Sequence, residues 1–329
     1  LIDVDLDGAL DLFFTGGGRI DAAAGRIDGR SGCYFRNLGH LSFNALTEAA
    51  RLVDSSMYSH GVTVLDFDQD SWPDLLVTGY GGQRLYQNMG DGTYSDRSPV
   101  AGLDAEGWST AAVAADFDTD GDIDIYVARY CRWSLEEDQS HECGDRERKL
   151  RDACPPQLFT PDYDHMFLSN GDGTFDNQSA RLSKHPPQRG MAVAATDVNE
   201  DGYVDLYVAN DAGPNNLFLG AATPDWEDVA LLAGVSGNEY GAAEGSMGIA
   251  AGDSDGDGRL DLFVTNFELE NNSLYQSVGH NQFRHATISS GLAGSGVPFI
   301  GFGTTMTDFD ADGWQDLIVA NGSVFYHTG

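Results

Sequence analysis

The sequence predicts an all-β chain that folds as a β-propeller of four-stranded blades. A nine-residue acidic loop occurs six times along the 329 residues, with the pattern Asp-x-Asp/Asn-x-Asp-Gly-x-x-Asp. A run of β-forming apolar residues follows each loop, and most loops begin about 50 residues apart, which is the spacing of propeller blades. The repeat covers nearly the whole chain, residues 1–329, and therefore predicts a single repeat domain.

The candidate metal ligands are the side chains at positions 1, 3, 5 and 9 of each loop, and we number the loops 1 to 6 in chain order. In loops 1 to 3 they are Asp3, Asp5, Asp7 and Asp11; Asp66, Asp68, Asp70 and Asp74; Asp116, Asp118, Asp120 and Asp124. In loops 4 to 6 they are Asp197, Asn199, Asp201 and Asp205; Asp253, Asp255, Asp257 and Asp261; Asp308, Asp310, Asp312 and Asp316. Loop 2 departs most from the pattern, because Ser71 stands where the other loops have glycine.

These loops offer only oxygen ligands, which Ca²⁺ prefers, whereas zinc would need Cys or His. Positions 1, 3 and 5 and the glycine at position 6 are similar to an EF-hand loop, but the last acid comes at position 9, and strands rather than helices are expected around it. The loops therefore predict up to six Ca²⁺ ions; a set of acidic, solvated turns is the alternative. Without ions, we expect the repelling carboxylates to be splayed or partly protonated.

Each repeat is expected to contribute four strands. The first is small and apolar, as at 111–115, and the second follows the loop, as at 124–127. The third carries a pair such as Leu85-Tyr86 and leads into a hairpin turn. An extra segment at 17–32 is rich in Gly and Arg and is expected to be a mobile loop. The predicted repeats span approximately residues 1–59, 60–106, 107–188, 189–240, 241–298 and 299–329.

A longer insertion, residues 131–162, contains three of the four cysteines. Cys143 and Cys154 are predicted to form a disulfide, which indicates an oxidising compartment; two buried free thiols are the alternative. The spacing leaves open whether Cys33 and Cys131 are paired or free.

The chain is strongly acidic, with 52 acidic and 18 basic residues and a net charge of −34. Close to half of the acids lie in the six loops, so much of this charge is assigned to ion binding. The remaining negative charge disfavours nucleic acid and anionic membranes as partners. No apolar run is long enough to predict a membrane span. The chain begins inside a repeat, so we expect its parent protein to start earlier; the oligomeric state is not predicted.

Several short motifs carry a resemblance to a known family. They are Gly107-Trp-Ser-Thr, Cys143-Gly-Asp, Cys154-Pro-Pro, Val208-Ala-Asn-Asp211, Gly245-Ser-Met-Gly248 and Val319-Ala-Asn-Gly322. Together with the loops, they resemble FG-GAP/VCBS repeats of integrin-α-type propellers and, more narrowly, the cartilage acidic protein 1 family, also called ASPIC/UnbV proteins. The resemblance implies a seven-bladed, Ca²⁺-binding propeller in an extracytoplasmic protein, followed by a small ASPIC/UnbV domain. About six blades are represented here, without a seventh acidic loop or an ASPIC/UnbV segment.

The leading functional hypothesis is a non-catalytic scaffold for adhesion or assembly that binds a protein or glycan, in a protein that is secreted, periplasmic or at the cell surface. The alternative is a polysaccharide-active, lyase-like enzyme on a Ca²⁺-stabilised propeller, for which His60 and His185 are candidate bases. The sequence contains no nucleophile elbow, zinc-protease motif or dinucleotide fingerprint, so no catalytic residue is assigned.

A candidate partner surface lies at the start of the cysteine-containing insertion. It comprises Arg129, Tyr130, Arg132 and Trp133. Arg and Trp are enriched at binding hot spots, which favours a role in recognition. The alternative is that these side chains pack the insertion against its blade.

Overall fold

The computed structural model describes residues 1–103, 106–145, 150–222 and 226–324. It divides into two compact units. Unit 1 comprises Leu1–Glu136 and Asp164–Leu182, and unit 2 comprises Glu137–Tyr163 and Ser183–Gly329. Residues 325–329, which close the last predicted repeat, and residues 146–149 of the predicted insertion lie outside the described residues. The predicted repeat boundaries stay a prediction.

The described chain is dominated by strands, which confirms the predicted all-β class. The first fifteen strands are β1 Leu12–Phe14, β2 Gly18–Asp21, β3 Arg26–Gly29, β4 Cys33–Asn37, β5 Phe43–Ala45, β6 Tyr58–Leu65, β7 Asp74–Tyr80, β8 Gly82–Asn88, β9 Tyr94–Asp96, β10 Ser109–Ala115, β11 Asp124–Arg129, β12 Gly144–Asp145, β13 Leu150–Arg151, β14 His165–Ser169 and β15 Phe175–Asn177. The others are β16 Gly190–Thr196, β17 Asp205–Gly213, β18 Asn216–Phe218, β19 Glu244–Gly245, β20 Gly248–Gly252, β21 Asp261–Thr265, β22 Ser273–Gly279, β23 Gln282–His285, β24 Ile300–Thr307 and β25 Asp316–Gly322. Short helices are α1 Ser98–Ala101, α2 Leu135–Ser140 and α3 Ala230–Ala233, with 3₁₀ turns at Pro156–Leu158 and Ser179–Arg181.

Unit 1 contains three successive antiparallel sheets, with strand orders β1-β4-β5, β6-β7-β8-β9 and β10-β11-β14-β15. Unit 2 contains β16-β17-β18, in which β19 also pairs with β17, then β20-β21-β22-β23 and β24-β25. In the four-stranded sheets each strand pairs with the next strand of its own repeat, which is the meander of a propeller blade. Loops 2 to 6 join the first and second strands of their sheets, whereas loop 1 precedes β1 and is closed by the isolated bridge between Ile2 and Asp11.

Apolar residues of neighbouring sheets pack face to face within each unit. In unit 1, Leu76 of β7 and Ile125 of β11 belong to one core cluster and are fully buried. In unit 2, Tyr207 of β17 and Leu262 of β21 share another. The strands that follow loops 2 to 5 are buried on both faces; they are β7, β11, β17 and β21. Burial on both faces explains why their sequences are continuous apolar runs rather than alternating ones.

Two of the short helices end in a tight turn that needs glycine. After α1 and α3, Gly102 and Gly234 take left-handed backbone conformations, with φ of 78° and 82°. The next apolar residues, Leu103 and Val235, are fully buried. Glycine therefore ends the short helix and lets the chain return its next side chain to the core.

The two extra segments differ from what their composition suggests. Residues 17–32 contain the hairpin β2–β3, with Ile20 opposite Ile27, rather than the predicted mobile loop. Gly25, with φ of 65°, closes its turn, and Arg26 pairs with Asp28, so local pairing orders this polar segment.

The cysteine-containing insertion carries α2 and the hairpin β12–β13. Among the described residues, no helix has the length and apolar composition required to cross a membrane.

Candidate metal centres

The first aspartate of each loop holds the loop backbone in a turn. In loop 2, Asp66 Oδ1 accepts the N–H of Asp70 at 3.0 Å, and Oδ2 accepts the N–H of Ser71 at 2.9 Å. The same two bonds recur in loop 6, where Asp308 accepts from Asp312 at 3.1 Å and from Gly313 at 2.8 Å. The fifth-position aspartate accepts the N–H two residues later, for example Trp72 to Asp70 at 2.8 Å. These local bonds explain why the spacing of the acids is fixed.

Two positions in every loop have a left-handed backbone. Position 6 has positive φ in all six loops: Gly8, Ser71, Gly121, Gly202, Gly258 and Gly313. Position 4 does as well, although only loop 5 has glycine there: Leu6, Gln69, Thr119, Glu200, Gly256 and Ala311. The sequence pattern does not predict that position 4 needs a left-handed backbone, and Gly256 in loop 5 is the only sequence signal of this requirement. The repeated conformation folds the loop so that alternate side chains turn inward.

In loops 1 to 5 the ninth-position aspartate differs from the other acids because it is buried inside the blade, whereas Asp316 of loop 6 is exposed. Asp124 is 1% exposed; its Oδ2 accepts the N–H of Phe117 at 2.8 Å and its Oδ1 accepts that of Ser169 at 2.8 Å. The equivalent pair of bonds is made by Asp11, Asp74, Asp205 and Asp261. This carboxylate thus connects the loop, the second strand and the end of the third strand.

The loop carboxylates converge in five of the six loops. Each group of three offers one oxygen per residue, and these oxygens lie within 4.8 Å of one another. The groups are Asp3, Asp5 and Asp7; Asp66, Asp68 and Asp70; Asp116, Asp118 and Asp124; Asp253, Asp255 and Asp261; Asp308, Asp310 and Asp316. The structure therefore does not show the splayed loops expected from repulsion, because backbone N–H groups hold the acids in place.

Loop 4 brings together no such group of three acids, and all of its residues are described. Asn199 takes the third position, and its Nδ2 donates to Asp201 Oδ2 at 3.0 Å. The amide thereby satisfies a carboxylate oxygen that the other loops can offer to an ion. Loop 4 is the weakest of the six candidate sites.

Buried oxygens without a hydrogen-bond partner test whether these residues fit a cation. Asp5 Oδ1, Asp68 Oδ1, Asp116 Oδ1 and Asp118 Oδ1 are all buried and receive no donor. An unsatisfied carboxylate oxygen costs free energy, and a hard cation would remove that cost. Oxygen donors on alternate residues, with buried lone pairs left over, fit Ca²⁺.

Burial also raises the pKa of several of these carboxyl groups. Desolvation raises the pKa of Asp68 and of Asp118, with a further increase from the neighbouring fifth-position acid. It raises the pKa of Asp74 to about 7 and that of Asp124 to about 6, against the lowering effect of their backbone hydrogen bonds. Charge at these loops is thus unfavourable unless something positive compensates for it.

The candidate partner surface is only partly available. Arg129 is 2% exposed, and its guanidinium donates to Ser109 Oγ at 2.9 Å and to Glu106 O at 2.6 Å, so it is a buried structural residue rather than a recognition residue. Arg132 is exposed. The sequence could not distinguish these two arginines, because only the position of Arg129 at the buried end of β11 decides its role.

Tyr130 and Trp133 belong to an aromatic cluster in unit 1. The ring centroid of Trp108 lies 4.9 Å from that of Tyr130 and 5.8 Å from that of Trp133. The ring centroid of Tyr80 lies 5.3 Å from that of Trp133. All four rings are partly buried and pack edge to face. They are brought together by the strand ends opposite the acidic loops.

The candidate catalytic histidines have structural partners. The indole N–H of Trp108 donates to His60 Nε2 at 2.9 Å. His185 Nε2 lies 2.8 Å from the carbonyl oxygen of Trp226, as expected for a donated hydrogen bond. Neither contact groups a histidine with a nucleophile or an acid.

Cys143 and Cys154 form a disulfide with a Cα–Cα distance of 5.2 Å, and they flank the hairpin β12–β13. Arg151, within this hairpin, donates to the carbonyl oxygens of His141 at 2.8 Å and Asp138 at 2.6 Å. Among the described residues, neither Cys33, which is exposed, nor Cys131, which is buried, forms a disulfide.

Curated relatives resemble about half of the chain. Cartilage acidic protein 1 of Homo sapiens is 29% identical over 162 residues, which cover 48% of this chain and 24% of that protein. The Xenopus tropicalis protein of the same name is 31% identical over 166 residues, covering 48% and 25%. The match thus spans about a quarter of the length of these relatives.

Solved structures show weaker likenesses. An Agrocybe aegerita lectin, described as recognising non-reducing terminal N-acetylglucosamine, has a TM-score of 0.45 at 15% identity, covering 94% of this chain and 74% of the lectin. A putative exo-β-1,3-galactanase from Bifidobacterium bifidum has a TM-score of 0.36 at 12% identity, covering 69% and 70%. At these scores neither likeness bears on function.

A family model described as the FG-GAP-like repeat matches residues 66–127, 158–208, 197–264 and 255–319. Each matched segment ends within the second strand of a sheet, and three begin at or inside an acidic loop. The model thus covers more than half of the chain and follows its blades, which have a propeller-like topology. The chain belongs to the FG-GAP-like repeat family.

Proposed function

We propose that this chain is a calcium-binding, propeller-like module that acts outside the cytoplasm as a scaffold for protein or glycan partners. The observation that carries the calcium assignment is the convergence of three carboxylate oxygens within 4.8 Å in five loops. Buried oxygens without donors, such as Asp68 Oδ1 and Asp118 Oδ1, support it. The acids at positions 1, 3 and 5, and at position 9 where it joins the group, would hold the ion.

The bound ion would supply the positive charge that these carboxylates lack. The chain's own contribution is to hold the carboxylates close together, through N–H donors from positions 5, 6 and 7 of the loop. Because loops 2 to 6 each connect the first two strands of a sheet, a filled loop stabilises the blade. The unfolded chain does not assemble the ligands, so ion binding adds directly to the free energy of unfolding.

An extracytoplasmic location is supported by three features. The Cys143–Cys154 disulfide suits an oxidising compartment. Millimolar calcium, which weak oxygen sites need, is typical of extracellular fluid. The relatives are named for cartilage, which favours a protein that is secreted, periplasmic or at the cell surface.

The scaffold would contact its partner through the exposed Arg132 and the accessible edges of Tyr130 and Trp133. We expect an array of glycans and matrix proteins to identify a ligand whose binding falls at least about tenfold in W133A. R181A, which alters another exposed arginine of unit 1, is the matched control and should bind as the wild type does. Equal binding by W133A and wild type would place the partner surface elsewhere.

Calcium titration of a reciprocal pair of variants tests the metal assignment. Loop 3 has Asp118 where loop 4 has Asn199, and the two loops otherwise share their pattern. We expect native mass spectrometry to show one strong site fewer in D118N and one more in N199D than in the wild type. A wild-type chain that binds no Ca²⁺ at millimolar concentration would contradict the proposal.

A further inference from the structure

The six loops are not equivalent, because arginine side chains enter two of them. In loop 1, the Arg36 guanidinium lies 2.5 Å from Asp5 Oδ2 and 3.3 Å from Asp7 Oδ2. In loop 5, Arg284 lies 3.6 Å from Asp255 Oδ2, and Arg259 pairs with Asp257. In both loops the arginines contact the acids at positions 3 and 5. Among the described residues, no Lys or Arg forms an ion pair with the acids of loops 2, 3 or 6.

Loops 1 and 2 allow a direct comparison, because β4 and β8 occupy the same register relative to them. The N–H of Asn37 donates to the ninth-position Asp11 at 2.7 Å, and the N–H of Asn88 donates to Asp74 at 2.7 Å. The residue before each asparagine therefore faces the third position of its loop. This residue is Arg36 in loop 1 and Gln87 in loop 2, and Gln87 Nε2 donates to Asp68 Oδ2. At this place the two sites differ by one unit of positive charge.

Arg36 also removes an oxygen from the possible ligand set. At the fifth position of loop 1, Asp7 Oδ1 accepts the N–H of Ala9 at 2.9 Å, and Oδ2 accepts from Arg36 at 3.3 Å. In loop 2 the corresponding Asp70 Oδ1 accepts from Trp72, while no described donor contacts Oδ2. An ion in loop 1 must either displace the guanidinium, which breaks its ion pairs with Asp5 and Asp7, or share these acids with it, which places two positive charges a few ångströms apart.

We propose that Arg36 is a built-in counter-charge that lowers the calcium affinity of loop 1 below that of loop 2, and that Arg259 and Arg284 do the same in loop 5. The inference rests on the proposed calcium binding. A guanidinium about 5 Å from a divalent ion, partly screened by water, weakens binding by about tenfold or more. The module therefore holds two classes of site: loops 2, 3 and 6 fill at low calcium, and loops 1 and 5 fill only as calcium rises.

The reciprocal variants R36Q and Q87R test this proposal, because each gives one loop the side chain of the other. Native mass spectrometry would count bound ions over a series of free Ca²⁺ concentrations. We expect R36Q to bind one further ion about tenfold more tightly than the wild type, and Q87R to lose one tight site by a similar factor. Trp72, at position 7 of loop 2, provides a local sensitiser for Tb³⁺ luminescence, which should weaken in Q87R.

Further measurements separate charge from folding and from shape. R36K keeps the positive charge and should bind calcium much as the wild type does. In chelator, R36Q should melt at a lower temperature than the wild type, because the loop 1 acids lose their counter-charge, and circular dichroism confirms that it folds. Equal affinities for R36Q, Q87R and a calcium-binding wild type would overturn this inference alone, as would an R36K variant that behaves like R36Q. Absence of calcium binding in the wild type would overturn the proposed function with it.

Discussion

Loops 1 to 5 each contain two kinds of aspartate that the sequence pattern makes look alike. In loop 3, Asp118 is partly buried, and its Oδ1 has no partner, whereas Asp124 is 1% exposed, and both of its oxygens accept backbone N–H groups. In the proposed calcium site the first side chain would contact the ion, while the second already accepts two hydrogen bonds inside the blade. Burial thus separates the two positions, although both carry the same residue type.

Removing bound ions should have the largest effect, because it acts on the proposed ligands of every loop at once. Each site at 100 times its Kd adds about 2.7 kcal/mol to the free energy of unfolding. We expect chelator to lower the melting temperature by more than about 10 °C, measured by calorimetry. An unchanged melt would mean that all four acids of each loop are purely structural.

The substitution D124N tests the other kind of aspartate, whose two oxygens accept backbone N–H groups. The amide would direct a donor at a backbone N–H and leave it unsatisfied, which costs about 2–4 kcal/mol of stability. We expect this loss in chelator as well as in calcium, measured by urea denaturation. D118N is the matched control and should cost less than about 0.5 kcal/mol in chelator, since it keeps an oxygen and relieves repulsion. Similar losses for both variants in chelator would remove the distinction.

A buried acid outside the loops shows what burial does without a metal site. Glu244 is 7% exposed, and desolvation, together with Glu270 and Glu239, raises its pKa to about 7 against hydrogen bonds from Ser273 and Asn238. The folded protein therefore holds this proton more tightly than the unfolded chain, whose ordinary glutamate pKa is near 4.5. Its contribution to stability is complete below pH 4.5 and is lost as the pH rises through about 7.

E244Q should remove this pH dependence. Measured in chelator, the difference in stability between E244Q and wild type should shift by roughly 2 kcal/mol in favour of the variant between pH 4.5 and pH 8. E268Q alters another glutamate of unit 2 and is the control. A difference that stays constant with pH would show that Glu244 titrates normally and that burial alone does not set the behaviour of acids in this chain.

The smallest expected effect concerns the loop backbone that both kinds of aspartate share. Ser71 occupies the left-handed position that is glycine in the other five loops, with φ of 72°. S71G should stabilise the protein by about 0.5–1 kcal/mol, because glycine adopts this conformation without strain. The reverse substitution in loop 3, G121S, should destabilise it by a similar amount in thermal melts. A destabilised S71G would show that the serine side chain makes a contact worth more than the strain.

Much of the fold could be predicted because its signals are local and repeated. The β-forming run after each loop and the glycine-containing turns specify strands 2 to 4 of a blade, and they appear as β7 to β9 and β21 to β23. The segment 17–32 was harder, because its polar composition hides the pairing of Ile20 with Ile27 that forms a hairpin. The composition of a segment indicates how well water solvates it, whereas strand pairing depends on which residues lie opposite each other.

The sequence predicts which residues belong to the candidate sites, but not which of them are buried or packed against other residues. The loop acids follow from spacing alone, since those at positions 1 and 5 accept hydrogen bonds from backbone N–H groups of the same loop. The burial of Arg129 and the clustering of Tyr130 with Trp108 could not be predicted, because they depend on where strand ends of different hairpins meet.

The sequence by itself determined the repeat, the blade and the candidate ligands, because each is encoded within one loop and its flanking strands. Only the tertiary structure decided that Asp124 lies inside a blade and that Arg36, 29 residues from Asp7, enters loop 1. The physical reason is that charge and burial act through space, so a site's affinity depends on neighbours that its own nine residues do not specify.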